Sequence, residues 1–144
     1  MKIVELKAKT KALKEFEKRE WGLVHPEHYG HEIDRDFWEK IKFRLAAKDG
    51  GKFIGKLTGH YMAGVMYIGE LLVGHDYRGL GVGKTLMAEA EKMAKKKRVH
   101  KIYLDTGVGW KAVDFYENLG YRKEARLEKH WEKQDSWVMS KFLK

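Results

Sequence analysis

The sequence predicts an α/β fold: a mixed, mostly antiparallel sheet with about four helices. Three observations support it. Apolar runs of strand length alternate with runs of helical spacing along all 144 residues. Two short Gly-containing turns join three consecutive strand-like runs in the middle of the chain. Beyond them a glycine-rich turn, Gly79 to Gly83, separates a strand-like run from a helix-like one, an arrangement that needs a parallel crossover.

Taken in order, residues 3–6 alternate as a short strand. Residues 10–21 read as a helix with Ala12, Leu13 and Phe16 toward the core, and a loop over 22–33 holds the only proline, Pro26. A second helix is expected over 34–44, where Phe37, Trp38, Ile41 and Leu45 share a face. Residues 43–48 turn at Asp49-Gly50-Gly51 into 53–61, and Ala63-Gly64 turns the chain again into 65–73. Leu86, Met87, Ala90, Met93 and Ala94 give 85–97 a helical stripe, with Lys95 to Arg98 at its end, where cations suit the helix dipole. A strand over 101–106 follows. Residues 110–119 are a compact helix with Ala112, Phe115, Tyr116 and Leu119 on one side, closed by Gly120. Strands over 121–131 and 135–142 finish the chain.

The composition narrows the function. Hydrophobic residues make up 43%, ordinary for a globular chain, and one domain over 1–144 is expected. Cysteine is absent, which removes thiol and disulfide chemistry. No run approaches the roughly 18 apolar residues of a membrane span, and no signal peptide is visible, so a cytoplasmic protein without a membrane partner is expected. Thirty Lys and Arg against 21 Asp and Glu give a net charge of +9. That favours anionic partners, but the excess is spread along the chain and reads first as solvation.

The passage Arg78-Gly79-Leu80-Gly81-Val82-Gly83-Lys84-Thr85 carries most of the chemistry. A glycine turn that opens a helix gathers backbone N–H groups at the positive end of its dipole, which suits phosphate. A Walker A loop would need glycine at Arg78, and a dinucleotide fingerprint would need it at Lys84, so both patterns fail. The pattern Arg/Gln-x-x-Gly-x-Gly/Ala fits in full through Arg78, Gly81 and Gly83. Downstream, Ala112, Phe115, Tyr116, Gly120 and Tyr121 match Ala-x-x-Phe/Leu-Tyr-x-x-x-Gly-Phe/Tyr, and Val73 to Gly79 is similar to Val-x-Pro-x-Tyr-Arg-Gly, with His75 in place of proline.

On these motifs the chain resembles the GNAT superfamily of N-acetyltransferases, most clearly over 65–121. The resemblance implies a sheet splayed between its fourth and fifth strands and direct transfer from acetyl-CoA to a primary amine. It implies cofactor contacts at Leu72, Val73, Arg78, Gly79, Leu80, Gly81, Val82, Gly83, Lys84 and Thr85, with Arg78 and Lys84 supplying charge and Thr85 a hydroxyl. It makes Tyr116 the candidate acid and Glu70 the candidate base, with burial expected to raise the Glu70 pKa. Gly109 stands where many members carry Asn, which puts side-chain contacts at that bend in doubt. Trp21, His25 and Tyr29 are candidate acceptor contacts, and His130 and Trp131 candidates for the acceptor mouth. His25, His28 and His31 invite a metal reading, but an irregular loop would not fix them on one face, so no metal is expected. The acceptor is a protein N-terminus or a small amine such as a polyamine or amino compound. A non-catalytic acyl-CoA-binding module and a basic nucleic-acid-binding domain are the readings from other classes, the latter disfavoured. A homodimer is compatible with the sequence.

Overall fold

The structure, a computed structural model, describes residues 1–144. They form two compact units, residues 1–38 and 39–144.

The first unit is built on helix α1, Lys11–Tyr29. Its start is set by Thr10, whose hydroxyl accepts from the Leu13 N–H at 3.1 Å. The sequence reading stops this helix at residue 21, but it runs on through Gly22 and Pro26. Pro26 gives up the N–H bond to the Gly22 carbonyl and its ring crowds that carbonyl, yet the helix continues for another turn. Gly30 closes the helix at φ 75°, donating to the Pro26 carbonyl at 2.8 Å. Residues 3–6 form no strand; Ile3, Val4 and Leu6 are exposed. The expected helix over 34–44 is absent too. Asp34 caps a single turn by accepting from the Phe37 N–H at 3.1 Å, and the backbone is extended from Ile41. Three α-helices result.

The second unit holds strands β1 (Ile41–Asp49), β2 (Lys52–Met62), β3 (Val65–Val73), β4 (Lys101–Gly107), β5 (Arg122–Leu127) and β6 (Ser136–Phe142), with helices α2 (Val82–Lys96) and α3 (Lys111–Asn118). The sheet order is β1-β2-β3-β4-β6-β5. Every neighbouring pair is antiparallel except β3 and β4. The mixed, mostly antiparallel sheet is therefore as expected. The predicted split between fourth and fifth strands falls between β3 and β4, because residues 3–6 do not count as a strand.

The β3–β4 ladder is short. It pairs Val65 with Lys101, Met66 with Ile102 and Tyr67 with Tyr103, and then ends. β3 continues to Val73 along β2, while β4 continues to Gly107 along β6. A register shift between Thr58 and Gly59 makes a bulge opposite Gly69. Ile68 lies before the bulge and is 3% exposed, part of the core. Glu70 lies after it, and its side chain is 57% exposed. The bulge thus shifts the alternation and puts Glu70 on the other side from Ile68, so the burial expected at Glu70 does not occur.

The core beneath the sheet joins Leu86, Met87, Ala90 and Ala94 of α2 to Leu57, Met66, Ile68, Ile102, Leu104 and Met139 of the strands, and to Val113 and Tyr116 of α3. Burying each large apolar side chain contributes about 1.5–3 kcal/mol. Gly59 is fixed by the bulge: a Cβ there would collide with the Tyr67 carbonyl oxygen, with the Phe43 ring also in contact. Gly59→Ala is expected to destabilise the fold by about 1–3 kcal/mol, read as a lower urea midpoint with an unchanged slope; wild-type stability would show that the bulge relaxes at no cost.

Candidate active site

β3 ends at Val73, and Gly74 donates to the Ile54 carbonyl at 2.8 Å. A single 3₁₀ turn, His75–Tyr77, leads to Gly79 at φ 75° and Gly81 at φ 86°, both in left-handed backbone that glycine adopts at little cost. Gly81 is the N-cap of α2 and has no side chain to cap it. The first backbone bond of the helix is Thr85 N–H to the Gly81 carbonyl at 3.0 Å. The amides of Val82, Gly83 and Lys84 are those a helix leaves without intrahelical carbonyls. Gly83 packs this turn against the sheet: a Cβ would meet Phe115 Cζ at 3.3 Å and Val73 Cγ2 at 3.6 Å. The Thr85 hydroxyl donates to the Gly81 carbonyl at 2.9 Å, so its proton closes the turn instead of facing outward. Arg78 reaches back toward the Val73 carbonyl at 3.5 Å and, with Leu72 and Val73, borders a cavity of about 530 Å³. Leu80, Gly81, Val82 and Thr85 border another of about 290 Å³.

Where β3 and β4 part, a cavity of about 310 Å³ opens between them. Glu70 and Leu72 of β3 line it, as do Asp105 and Thr106 of β4 and Trp110, Ala112 and Tyr116 at and in α3. Trp110 covers Gly107, where any Cβ would run into the indole. Tyr116 is 8% exposed, with its ring edge-on to Phe115 and Tyr121. Burial pushes its phenol up to about 12.

Comparison with known proteins gives the family. The Acetyltransferase (GNAT) family model matches residues 10–121. The chain belongs to the GNAT family of acetyltransferases. It is 33% identical over 72 residues to a glucosamine 6-phosphate N-acetyltransferase of Trypanosoma brucei brucei, covering 50% of this chain and 43% of that protein. It is 30% identical over 98 residues to N-alpha-acetyltransferase 30 of Schizosaccharomyces pombe, covering 62% and 64%. The chain spans less than two thirds of the length of these relatives. Among solved structures, an acetyltransferase from Bacillus cereus superposes with a TM-score of 0.70 at 26% identity, over 97% of this chain and 98% of that one. An aminoglycoside 6'-N-acetyltransferase complexed with coenzyme A shares the fold at a TM-score of 0.61 and 21% identity, over 99% and 97%.

Within this GNAT site the structure corrects the expectation for Glu70. It lines the gap, but its carboxylate accepts from the Lys56 ammonium and from the Thr58 hydroxyl, each at 3.2 Å. The bond to Lys56, then its charge, holds the Glu70 pKa below the ordinary value. Burial, the cause expected to raise it, is outweighed because the bulge turns the side chain outward.

Asp105 was missed by the sequence reading. It accepts from the Tyr67 hydroxyl at Oδ2 and from the Trp131 indole N–H at Oδ1, both at 2.9 Å. The signal was present: Ile102, Leu104 and Thr106 alternate as buried positions of β4, so Asp105 stands on the opposite face, two residues past the last ladder pair at Tyr103. Trp131, expected near the acceptor mouth, is therefore tied to the gap, and His130 meets it edge-on with ring centroids 4.8 Å apart.

Trp21, His25 and Tyr29 come together in the first unit, lining a cavity of about 460 Å³ with Glu17, His28 and Trp38. His25 and His28 stand on α1, not in a loop. His25 is 3% exposed and stacks on Tyr29 at 4.5 Å. Desolvation, then the nearby His31 and His28, lower its pKa, and its Nε2 has no hydrogen-bond partner.

The Glu70 environment has a measurable signature. Its folded pKa lies below the unfolded value near 4.5. The pair's contribution is therefore complete above that value and is lost as pH falls through the lower folded one. Lys56→Met is expected to move the Glu70 carboxyl titration, followed by carbon NMR, upward; an unmoved titration would assign the shift to Thr58.

Proposed function

We propose that the chain is a single acetyl-CoA-dependent N-acetyltransferase domain that moves the acetyl group directly to a primary amine. The observation that carries this reading is the gap beyond Tyr67 and Tyr103, with a phosphate-type helix start at the end of β3 and a buried phenol beside it. The amides from Gly79 to Lys84 and the charges of Arg78 and Lys84 would hold the pyrophosphate. Leu72 and Val73 would offer strand backbone to the pantetheine arm, and a backbone N–H there would stabilise the oxyanion. Thr85 shapes the loop from within.

The amine nitrogen attacks the thioester carbonyl carbon, the C–S bond breaks, and the thiolate takes a proton from Tyr116. A pKa of about 12 keeps that proton in place until charge develops on sulfur. The same desolvation raises the proton affinity of a thiolate beside it. Glu70, held ionised by Lys56, would accept the amine's proton through water. No acyl-enzyme forms. Trp21, His25 and Tyr29 remain candidate acceptor contacts.

The α-amine of a protein N-terminus is the leading acceptor, supported by the likeness to N-alpha-acetyltransferase 30. A small amine is the second reading, supported by the likeness to a glucosamine 6-phosphate N-acetyltransferase. Acceptor screening with acetyl-CoA over peptides and small amines, reading free thiol, tests both. Coenzyme A is expected to raise the melting temperature; stabilisation without turnover on any amine would turn the reading into a non-catalytic acyl-CoA-binding module. Tyr116→Phe is expected to lower kcat by about 100-fold or more while keeping the thermal shift with coenzyme A. Unchanged turnover would remove the phenol from the mechanism.

A further inference from the structure

Two carboxylates face the gap, and their electrostatic states differ. Glu70 has a cation at 3.2 Å, the Lys56 ammonium. Asp105 has none: its two partners, the Tyr67 hydroxyl and the Trp131 indole, are neutral donors, and it takes part in none of the ion pairs. Each donor fills one lone pair on a different oxygen. A carboxylate offers about four such sites, so Asp105 keeps an open position on each oxygen.

The donors are themselves held. Tyr67 packs on Tyr103 at 5.0 Å and on His60 at 5.5 Å. Burial and the bond to Asp105 push its phenol up to about 12, so it stays a donor. Trp131 is 65% exposed but sits on a pinned turn. Asp135 accepts from the Lys129 N–H at 2.9 Å and from Arg126 at 2.9 Å, and His130 N–H bonds the Gln134 carbonyl at 2.9 Å. Lys129, Glu132 and Lys133 all have positive φ, a conformation that non-glycine residues hold only when the surroundings impose it. The indole is thus aimed at Asp105 by a built turn.

We infer that Asp105 is the docking residue for the acceptor, which arrives as an ammonium ion, and that Tyr67 and Trp131 position its carboxylate. This rests on the transferase reading and deepens it. An ammonium at Asp105 supplies the missing counter-charge and fills the open lone pairs with charge-assisted bonds. Glu70, already neutralised, competes poorly for the same ion. The acceptor class is therefore a cationic amine, and the docked nitrogen must lose a proton before it attacks.

The test uses the full chain with three acceptor probes: spermidine, an alanine-initiated hexapeptide amide and glucosamine 6-phosphate. With saturating acetyl-CoA, Asp105→Asn is expected to raise KM about tenfold or more for the probe that is acetylated, with kcat changed far less. Trp131→Phe and Tyr67→Phe should each raise KM by a smaller factor. The second readout needs no turnover. The Trp131 indole N–H resonance, assigned by its loss in Trp131→Phe, should shift on adding spermidine or the peptide amide to wild type and stay still in Asp105→Asn. Folding of the variant is checked by its retained melting shift with coenzyme A. A wild-type KM in Asp105→Asn, or an indole that ignores both cationic probes, overturns the docking role. Indole shifts and a coenzyme A effect without acetylation would overturn the transferase reading while leaving the docking role standing.

Discussion

Three residue pairs hold the two halves of the sheet together. Val65–Lys101, Met66–Ile102 and Tyr67–Tyr103 are the whole parallel ladder, and the candidate cleft opens where it stops. On one side β1, β2 and β3 form an antiparallel leaf; on the other β4, β6 and β5 form a second. Beyond Tyr67 each leaf keeps its own antiparallel ladder, while the facing edges of β3 and β4 are left without a strand partner. The core under α2 ties the leaves together at their closed end through Met66, Ile68, Ile102 and Leu104. An opening between strands would otherwise leave a cleft that apolar packing would close. Here the covering ring of Trp110 and the anchored phenol of Tyr116 hold its far wall.

The bulge at Gly59 explains how polar chemistry enters this cleft. It moves Glu70 out of phase with Ile68, so that one carboxylate stands among the apolar residues of β3 and lines the opening. β4 reaches the same result without a bulge, because its alternation alone puts Asp105 opposite Leu104. The two carboxylates then differ only in company. Lys56 neutralises one, and two neutral donors frame the other. Other charges pair away from the cleft, as in Lys101–Glu124, Arg126–Asp135 and Lys141–Glu91.

Local features were readable and non-local ones were not. The turns at Gly50-Gly51 and Ala63-Gly64 and the starts of α2 and α3 depend on residues adjacent in sequence, and the strands they delimit, β1 to β3, fell close to the expected places. The helix expected over 34–44 failed because Phe37, Trp38, Ile41 and Leu45 fit two periods at once, and pairing of Ile41 to Asp49 with β2 decides for strand. Pro26 suggested a loop because a helical proline is usually costly; the helix nevertheless runs on to Tyr29 and closes at Gly30. The two catalytic-type candidates, Tyr116 and Glu70, do line one cleft. The Glu70 environment could not be read, since a bulge that shifts register by one residue leaves no signature beyond a pair of glycines. Asp105 was overlooked because its meaning comes from Tyr67, 38 positions earlier, and Trp131, 26 later.

The hairpin tip over 129–133 has a consequence of its own. Three side-chain-bearing residues in left-handed backbone cost roughly 1–3 kcal/mol apiece. Glycine at any of these positions would ease the backbone and loosen the indole's aim together, so local stability and directional hold on Asp105 are opposed at this tip.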